Sequence, residues 1–170
     1  MLYNLYQILG AVLYPLLVIV SPLFARCLPH WQVTRRFGRY PGVHQLTQLT
    51  AASGRKQLIW IHAASVGEVQ AARALVAVLL NTLPDTEIFL TTMTRQGRAV
   101  ARSLLPAHVH CELAPLDMPR AVKRALQEVQ PDLYICLETE LWPVMLTEMR
   151  RAGIPLLLLN GRISQRSFKQ

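Results

Sequence analysis

The chain has 170 residues, enough for one domain with a sizeable core; 52% are hydrophobic, 16% are charged, and the mean hydropathy is +0.25. This composition excludes intrinsic disorder and is too apolar for an ordinary soluble domain, so we expect one segment to contact lipid. Three cysteines without CxxC spacing, Cys27, Cys111 and Cys136, give no support to a disulfide framework or a zinc module and fit a reducing compartment.

The net charge of +8 is distributed unevenly along the chain. The first acidic residue is Glu68, whereas six basic residues precede it: Arg26, Arg35, Arg36, Arg39, Arg55 and Lys56. The first 67 residues therefore carry +6, and the remaining 103 carry 12 basic and 10 acidic groups, or +2. A basic block beside an apolar one predicts an anionic lipid surface as partner, and the absence of a nucleic-acid-binding motif argues against nucleic acid.

The first 25 residues contain no charged side chain. As a helix they would be about 36 Å long at about 1.5 Å per residue, against a hydrocarbon core of about 30 Å. We therefore predict a membrane anchor at 1–25 and a basic juxtamembrane linker at 26–56 on the cytoplasmic side. Pro15 and Pro22 keep an interfacial helix open as an alternative to a spanning one. A cleaved signal peptide fits less well, because the basic residues follow the apolar run.

After the predicted linker the chain alternates between strand and helix patterns. We predict strands at 57–62, 87–91, 108–113, 133–137 and 154–159, and helices at about 68–83, 95–105, 119–129 and 141–151. This alternation predicts an α/β fold, a Rossmann-like parallel sheet with flanking helices, over 57–170. The all-apolar strand 154–159 is expected to be central and buried on both faces. Ligands of such sheets bind at the carboxyl ends of the strands, so the loops there carry the candidate site.

The loop after the first strand reads His62-Ala-Ala-Ser-Val-Gly-Glu68. Ser65 can cap the next helix, and Gly67 allows a ligand to approach the backbone closely. Glu68 is a candidate general base for a substrate hydroxyl; the alternative is a Ser-x-x-Glu capping box. We expect this carboxylate to face an open crevice. His62, at the end of the strand, can equally be a buried structural residue or a functional one.

The loop after the fourth strand reads Glu138-Thr-Glu-Leu-Trp-Pro143. Glu138 directly follows an apolar strand, and a carboxylate there can stabilise an oxocarbenium-like transition state. Glu140 fits a second reading, as an acid that favours the start of the next helix.

Two further loops are polar. Thr94 begins a helix and is a candidate anion contact, and Arg162 lies in a basic, hydroxyl-rich run at 160–167; ordinary capping and a solvated linker are the alternatives. His108 and His110 share one face of a predicted strand next to Cys111, but a metal site needs more ligands, so we expect no metal. Dinucleotide, P-loop and hydrolase-elbow signatures are absent from the sequence.

Together these residues resemble the amino-terminal half of the bacterial 3-deoxy-D-manno-octulosonic acid (Kdo) transferases. The resemblance is carried, in order, by the apolar anchor and arginines, His62…Ser65-Val66-Gly67-Glu68, Thr91-Thr92-Met93-Thr94…Gly97, Pro115-Leu116-Asp117, Glu138-Thr139-Glu140-Leu141-Trp142-Pro143, and Asn160…Arg162…Ser164…Arg166-Ser167.

The resemblance implies the amino-terminal half of a GT-B glycosyltransferase at the cytoplasmic face of the inner membrane. It implies a lipid A precursor (lipid IVA) as acceptor, CMP-Kdo as donor, and no metal or other cofactor. Glu68 would be the general base and Glu138 the transition-state stabiliser. Ser65, Gly67, Thr94 and Arg162 are the candidate substrate-binding residues.

The family's second domain, which binds CMP-Kdo, has no counterpart in these 170 residues. We therefore expect a fragment or a split gene product that supplies the acceptor half. The alternative from another class is a catalytically silent, membrane-bound module that captures glycolipid. A nucleotide-binding domain of another GT-B enzyme is the third reading.

Overall fold

The computed structural model describes residues 2–27, 32–43, 57–138 and 141–161. Contacts within the chain divide it into two compact units. The first, which we call the helical unit, comprises Met1–Arg55, Leu113–Gln130 and Trp142–Gly153. The second, the sheet unit, comprises Lys56–Glu112, Pro131–Leu141 and Ile154–Gln170.

A five-stranded sheet forms the centre of the sheet unit. Its strands are β1 (Gln57–His62), β2 (Thr86–Thr92), β3 (His110–Leu113), β4 (Leu133–Leu137) and β5 (Leu156–Leu159). Their spatial order is β3-β2-β1-β4-β5, and the β1–β2, β1–β4 and β4–β5 pairs are parallel. This is the strand order of the doubly wound nucleotide-binding folds, and it confirms the predicted α/β class.

Six helices alternate with these strands or precede them in the described chain. They are α1 (Leu2–Cys27), α2 (Val33–Arg36), α3 (Val66–Thr82), α4 (Arg95–Leu104), α5 (Pro119–Val129) and α6 (Pro143–Arg151). The last four begin and end within two residues of the predicted bounds. Ser65 and Thr94 are the N-caps of α3 and α4, which is why those helices begin where they do.

The core of the sheet unit is built from β-branched and aromatic strand residues. Trp60 of β1 is fully buried and makes edge-to-face contacts with Phe89 of β2 (5.3 Å between ring centroids) and Tyr134 of β4 (5.7 Å). Val69 and Val76 of α3 pack into the adjoining aliphatic cluster. These contacts hold the central strands, and thereby their carboxyl ends, in fixed register.

Two strand predictions are wrong. The run 154–159 was expected to be a central strand, but β5 is the last strand in the sheet order, and Leu156, Leu157 and Leu158 are 38–46% exposed. An apolar run by itself does not show whether both faces of the strand are buried within the same chain or are exposed. The strand predicted from 108 begins at His110, because Val109 N donates to Pro106 O and closes a turn. His108 and His110 therefore do not share a strand face.

The start of the predicted linker is packed within the helical unit. Phe37, Tyr40 and Val43 are buried, and the Tyr40 hydroxyl donates to Leu113 O at 3.0 Å. Gly38 has a φ of +73°, and a Cβ there would lie 2.1 Å from the carbonyl oxygen of Ala121, so only glycine fits. Aromatic side chains thus fix a segment whose Gly and Pro content favoured a loop. Residues 44–56 lie outside the described chain.

Helix α1 belongs to the helical unit. Of the described helices it alone is long and apolar enough to cross a membrane, with a mean hydropathy of 1.8 over Leu5–Leu23. Only 6% of that window is buried by the protein. The predicted amino-terminal apolar helix is therefore present.

Candidate functional site

Three loops with the candidate residues follow β1, β2 and β4, adjacent strands at the centre of the sheet. The first two loops are tied together by their backbones: Ala63 N donates to Thr91 O at 2.9 Å, and Met93 N donates to Ala64 O at 3.1 Å. Because these strands are parallel, their carboxyl ends share one edge of the sheet. The sheet unit therefore gathers the polar loops around that edge.

Glu68 lies in the first turn of α3, and both of its carboxylate oxygens accept hydrogen bonds. One oxygen, Oε2, accepts from Ala64 N at 2.8 Å, and Oε1 accepts from the Ser65 hydroxyl at 2.8 Å. Glu68 N in turn donates to Ser65 Oγ at 3.2 Å. This is a capping box whose carboxylate reaches the amide one residue before the N-cap, and it stabilises the start of the helix.

The side chain of Glu68 is only 4% exposed. The expectation that this carboxylate faces an open crevice is therefore wrong for the described structure. Burial follows from the two short hydrogen bonds, which fold the side chain back over its own turn. To take a proton from a substrate, the carboxylate must first become accessible to the substrate hydroxyl.

The surface around Glu68 is nevertheless accessible. Ser65, Gly67 and Thr94 are exposed. A Cβ at Gly67 would meet only Ser65 Oγ, at 3.9 Å, and the backbone there does not have a positive φ. Packing within the described chain therefore does not require glycine at position 67, and the space around this exposed residue allows a ligand to approach its backbone.

Thr94 caps α4, where its Oγ1 accepts from Gly97 N at 2.9 Å. A Cβ at Gly97 would lie 3.1 Å from that oxygen and 3.3 Å from Thr92 Cβ. Unlike Gly67, Gly97 is therefore explained by packing. The capping alternative for Thr94 is realised, and its exposure leaves a further contact with substrate as a prediction.

His62 is a packed residue. It is 2% exposed, and its Nδ1 lies 3.1 Å from Thr91 Oγ1 on the neighbouring strand. The same hydroxyl accepts from Trp60 Nε1 at 2.8 Å. These buried polar contacts join β1 to β2 directly beneath the loop of Glu68.

Glu138 follows β4 in a left-handed conformation, with a φ of +59°. Its amide donates to Leu159 O at 2.8 Å, which fixes this turn to β5, and the residue is half-buried. A non-glycine residue in this region costs on the order of 1 kcal/mol or more, and such strain is often found at functional sites. Glu140 and Arg162, the other candidates, lie outside the described residues.

Asp117, in the helical unit, is a structural residue that the sequence indicates only as part of the motif Pro115-Leu116-Asp117. It is 8% exposed; Oδ2 accepts from the Tyr6 hydroxyl at 3.0 Å and from Val144 N at 3.1 Å, and Oδ1 accepts from Met145 N at 2.8 Å. The carboxylate thus caps α6, whose own N-cap residue, Trp142, makes no side-chain capping bond. Burial raises the pKa of Asp117 above its usual value, and the two amides partly oppose that rise.

Titratable groups in the described ranges form no group of three or more His, Cys, Asp or Glu that could hold a metal ion. Cys111 and Cys136 are buried. Burial raises the pKa of the Cys111 thiol to about 11, so it is protonated and unreactive at neutral pH.

Comparison with known proteins places these features in a family. A family model described as "3-Deoxy-D-manno-octulosonic-acid transferase (kdotransferase)", in its amino-terminal region, matches residues 32–170. A probable mitochondrial 3-deoxy-D-manno-octulosonic acid transferase of Arabidopsis thaliana is 36% identical over 154 residues, covering 89% of this chain and 34% of the relative. The 3-deoxy-D-manno-octulosonic acid transferase of Haemophilus influenzae is 41% identical over 111 residues, covering 65% and 26%.

A third relative, the 3-deoxy-D-manno-octulosonic acid transferase of Rickettsia bellii, is 32% identical over 166 residues, covering 98% of this chain and 38% of the relative. The chain thus spans about a quarter to about two fifths of the length of these relatives. The matched region contains the complete sheet and every candidate site residue. The chain belongs to the 3-deoxy-D-manno-octulosonic acid (Kdo) transferase family, of which it contains the amino-terminal glycosyltransferase domain.

Proposed function

We propose that this chain supplies the acceptor-binding half of a membrane-associated glycosyltransferase that transfers Kdo from CMP-Kdo to a lipid A precursor. The observation that carries the proposal is the family match over 32–170. The polar loops grouped at the carboxyl edge of the sheet support it, since ligands of this fold class bind there. Residues 57–170 are the proposed acceptor domain, and CMP-Kdo would be bound by a separate GT-B donor domain.

In the proposed reaction, the acceptor hydroxyl oxygen attacks the anomeric carbon of Kdo while the bond to the CMP phosphate oxygen breaks. The electron pair of that bond leaves with CMP, and the hydroxyl proton passes to Glu68. Glu68 is a weak base for a sugar alcohol, so proton transfer accompanies the loosening of the bond to CMP. The negative charge of Glu138 would stabilise the positive charge that develops on the sugar.

The acceptor would lie along the exposed rim formed by Ser65, Gly67 and Thr94, with Arg162 as a further contact. Its approach would replace the Ser65–Glu68 hydrogen bond, which releases Glu68 Oε1 towards the incoming hydroxyl. Ser65 thus holds the carboxylate ready when substrate is absent. From the family resemblance we propose that the whole assembly lies at the cytoplasmic face of the inner membrane.

The decisive experiment measures transfer from CMP-Kdo to lipid IVA, with the chain supplied alone and together with a carboxyl-terminal half from a family member. We expect transfer only when both halves are present. Absence of transfer in the combined assay, with both halves folded and associated, would contradict the proposal. Transfer by the chain alone would contradict the assignment of donor binding to another domain.

One observation favours a second function. Both carboxylate oxygens of Glu68 are held by the capping box, which is sufficient to explain the residue without catalysis. In that case the chain is a catalytically silent, membrane-bound module that captures glycolipid. If the chain is such a module, we expect it to bind lipid IVA, and we expect no transfer of Kdo in the combined assay.

A further inference from the structure

Helix α1 has two different faces. One face packs on the rest of the helical unit. It is a stripe of residues spaced three to four apart: Tyr6, Gly10, Tyr14 and Leu17. Tyr14 is 5% exposed and makes an edge-to-face contact with Phe37. The other face carries large apolar side chains that are 55–73% exposed: Leu5, Ile8, Leu9, Val12, Leu16, Ile19 and Leu23.

The packed face contacts charged groups along much of its length. The Tyr6 hydroxyl donates to Asp117, and two turns later the Tyr14 hydroxyl accepts from Arg124 at 3.3 Å. If α1 crossed a bilayer with these contacts intact, a carboxylate and a guanidinium would be drawn into hydrocarbon at a cost of several kcal/mol each. A helix lying in the plane of the interface buries its apolar face in lipid and keeps the charged groups at headgroup level.

A cleft of about 480 Å³ lies between α1 and α5. Its apolar wall is formed by Tyr14, Pro15, Val18 and Ile19 of α1. Its polar wall is formed by Arg120, Lys123, Arg124 and Gln127, together with Arg39. The α5 residues recur at i, i+3, i+4 and i+7, so one face of α5 presents three cations to this cleft.

The described lining of the cleft contains four cations and no carboxylate. Lys123 has a carboxylate only at 3.9 Å, on Glu148 outside the lining. A second cleft of about 260 Å³ shares Val18, Arg39 and Arg124 and continues along α1 to Pro22. Clustered arginines beside aliphatic side chains suit a ligand with a phosphate at one end and acyl chains at the other.

We propose that the cleft between α1 and α5 binds the phosphate of an anionic bilayer phospholipid, whose acyl chains lie along the exposed apolar face of α1. Arg39 and Arg120 bind the phosphate, Arg124 bridges it to Tyr14, and α1 lies in the membrane interface. The apolar wall of the cleft favours a lipid phosphate over a free one. The inference rests on the membrane association in the proposed function, but not on the transfer reaction.

The test compares binding of the 170-residue chain to vesicles of phosphatidylcholine alone and with 30% phosphatidylglycerol. The variant R39Q/R120Q removes two cleft cations that make no described side-chain ion pair; its matched control, R73Q/R150Q, removes two exposed cations elsewhere. At about fivefold per cation, we expect R39Q/R120Q to lose about 25-fold of its affinity for the anionic vesicles. We expect the control to lose less than threefold. Equal losses would overturn the site, because they would indicate diffuse attraction.

Three further arms separate the sources of phosphate and the two proposals. The first arm replaces phosphatidylglycerol with lipid IVA at matched charge in phosphatidylcholine vesicles. We expect the affinities of R39Q/R120Q and wild type to differ less for these vesicles than for the phosphatidylglycerol vesicles. If R39Q/R120Q loses affinity only for the lipid IVA vesicles, the assignment to a bilayer phospholipid is overturned. Inorganic phosphate that bound the chain without vesicles as tightly as the phosphatidylglycerol vesicles do would also overturn it, because the apolar wall would then contribute nothing. The variant E68Q should bind vesicles like wild type whether or not transfer occurs, so failure of either proposal is visible by itself.

The orientation of α1 has its own readout. Fluorophores attached to cysteines introduced at Leu5, Val12 and Ile19 should be quenched most by shallow lipid quenchers, to a similar extent at all three positions. If deep quenchers instead quench the fluorophore at Val12 most, and shallow quenchers those at Leu5 and Ile19, the helix spans the bilayer and the inference is overturned.

Discussion

The candidate loops of the sheet unit and the basic cleft of the helical unit satisfy their polar groups in different ways. In the sheet unit the candidate polar residues are bonded to their own turn: Glu68 to Ala64 and Ser65, and Thr94 to Gly97. In the helical unit four cations line one cleft with no carboxylate in its described lining, and the apolar face of α1 is exposed. A preorganised loop whose polar groups bond to one another suits chemistry on a small group, whereas a basic cleft with no carboxylate in its described lining suits recognition of an anionic surface.

This contrast has a practical consequence for mutagenesis. A substitution in the sheet unit can alter both a helix cap and a reaction, so its stability must be measured with its activity. A substitution of an exposed cation in the helical unit changes charge and little else. Matched pairs of variants separate the two effects.

The largest expected effect is on the proton transfer proposed for Glu68. Glutamine at this position can still accept from Ala64 N and bond to Ser65, so the helix cap is retained. It cannot take the acceptor proton. We expect E68Q to lower the rate of Kdo transfer by about 100- to 10,000-fold in the two-half assay. We expect its thermal unfolding midpoint to stay within error of wild type.

Alanine at position 68 is the informative partner. It leaves the amide of Ala64 without its acceptor, which we expect to cost about 1–3 kcal/mol of the free energy of unfolding. If E68Q transfers Kdo at a near wild-type rate while E68A is destabilised, Glu68 is a capping residue alone. The variant D85N, which removes the charge of an exposed aspartate, is the control in both the transfer and the unfolding measurements.

The next effect separates charge from strain at Glu138. Its φ of +59° suits glycine, so E138G should stabilise the protein by about 1 kcal/mol in denaturant unfolding. The same variant removes the proposed transition-state charge and should slow transfer by about 100- to 1,000-fold. The control Q130G relieves a similar φ of +48° at the end of α5 and should stabilise without slowing transfer. Equal activities of E138G and Q130G would refute the role of Glu138.

Asp117 tests the helical unit. We expect D117A to lower the free energy of unfolding by about 1–3 kcal/mol, because Val144 N and Met145 N lose a buried acceptor. Denaturant titration monitored by circular dichroism measures it. A change below a few tenths of a kcal/mol would show that the carboxylate contributes nothing net to capping α6.

The pH dependence of stability gives an independent check on Asp117. Its pKa is raised in the folded state, so the folded protein binds more protons than the unfolded chain above about pH 3.8, the usual value. Stability relative to D117N should therefore fall as pH rises from that value through the folded pKa. A rise over the same interval would mean that the hydrogen bonds to the carboxylate outweigh its burial.

The sequence predicted local features well because they depend on neighbours in the chain. The Ser65–Glu68 capping box, the Thr94 cap and the order of strands and helices follow from short-range spacing and periodicity. Features set by distant residues were not predictable. Asp117 caps a helix 26 residues further along the chain, and the exposure of β5 depends on its position in the sheet order.

The candidate site shows the same division. The sequence identified Ser65, Gly67, Glu68 and Glu138 as residues of the strand ends, and the structure has them there. It did not predict that Glu68 would be buried, because a capping glutamate and a catalytic glutamate can both lie three residues after the capping serine. The left-handed backbone of Glu138 likewise has no local signal, since glutamate is not a residue that favours that region.

The smallest expected effect concerns two glycines that look alike in sequence. Both lie in the first turn of a helix, but a Cβ at Gly97 would approach Thr94 Oγ1 to 3.1 Å, whereas one at Gly67 meets only Ser65 Oγ at 3.9 Å. We expect G97A to destabilise the protein and G67A to stabilise it by about 0.5–1 kcal/mol through helix propensity. If acceptor passes over the backbone at 67, G67A should also raise the KM for lipid IVA several-fold with kcat little changed. An unchanged KM in the stabilised variant would mean that the acceptor does not contact this turn, and the binding rim would have to be sought at Thr94 and Arg162.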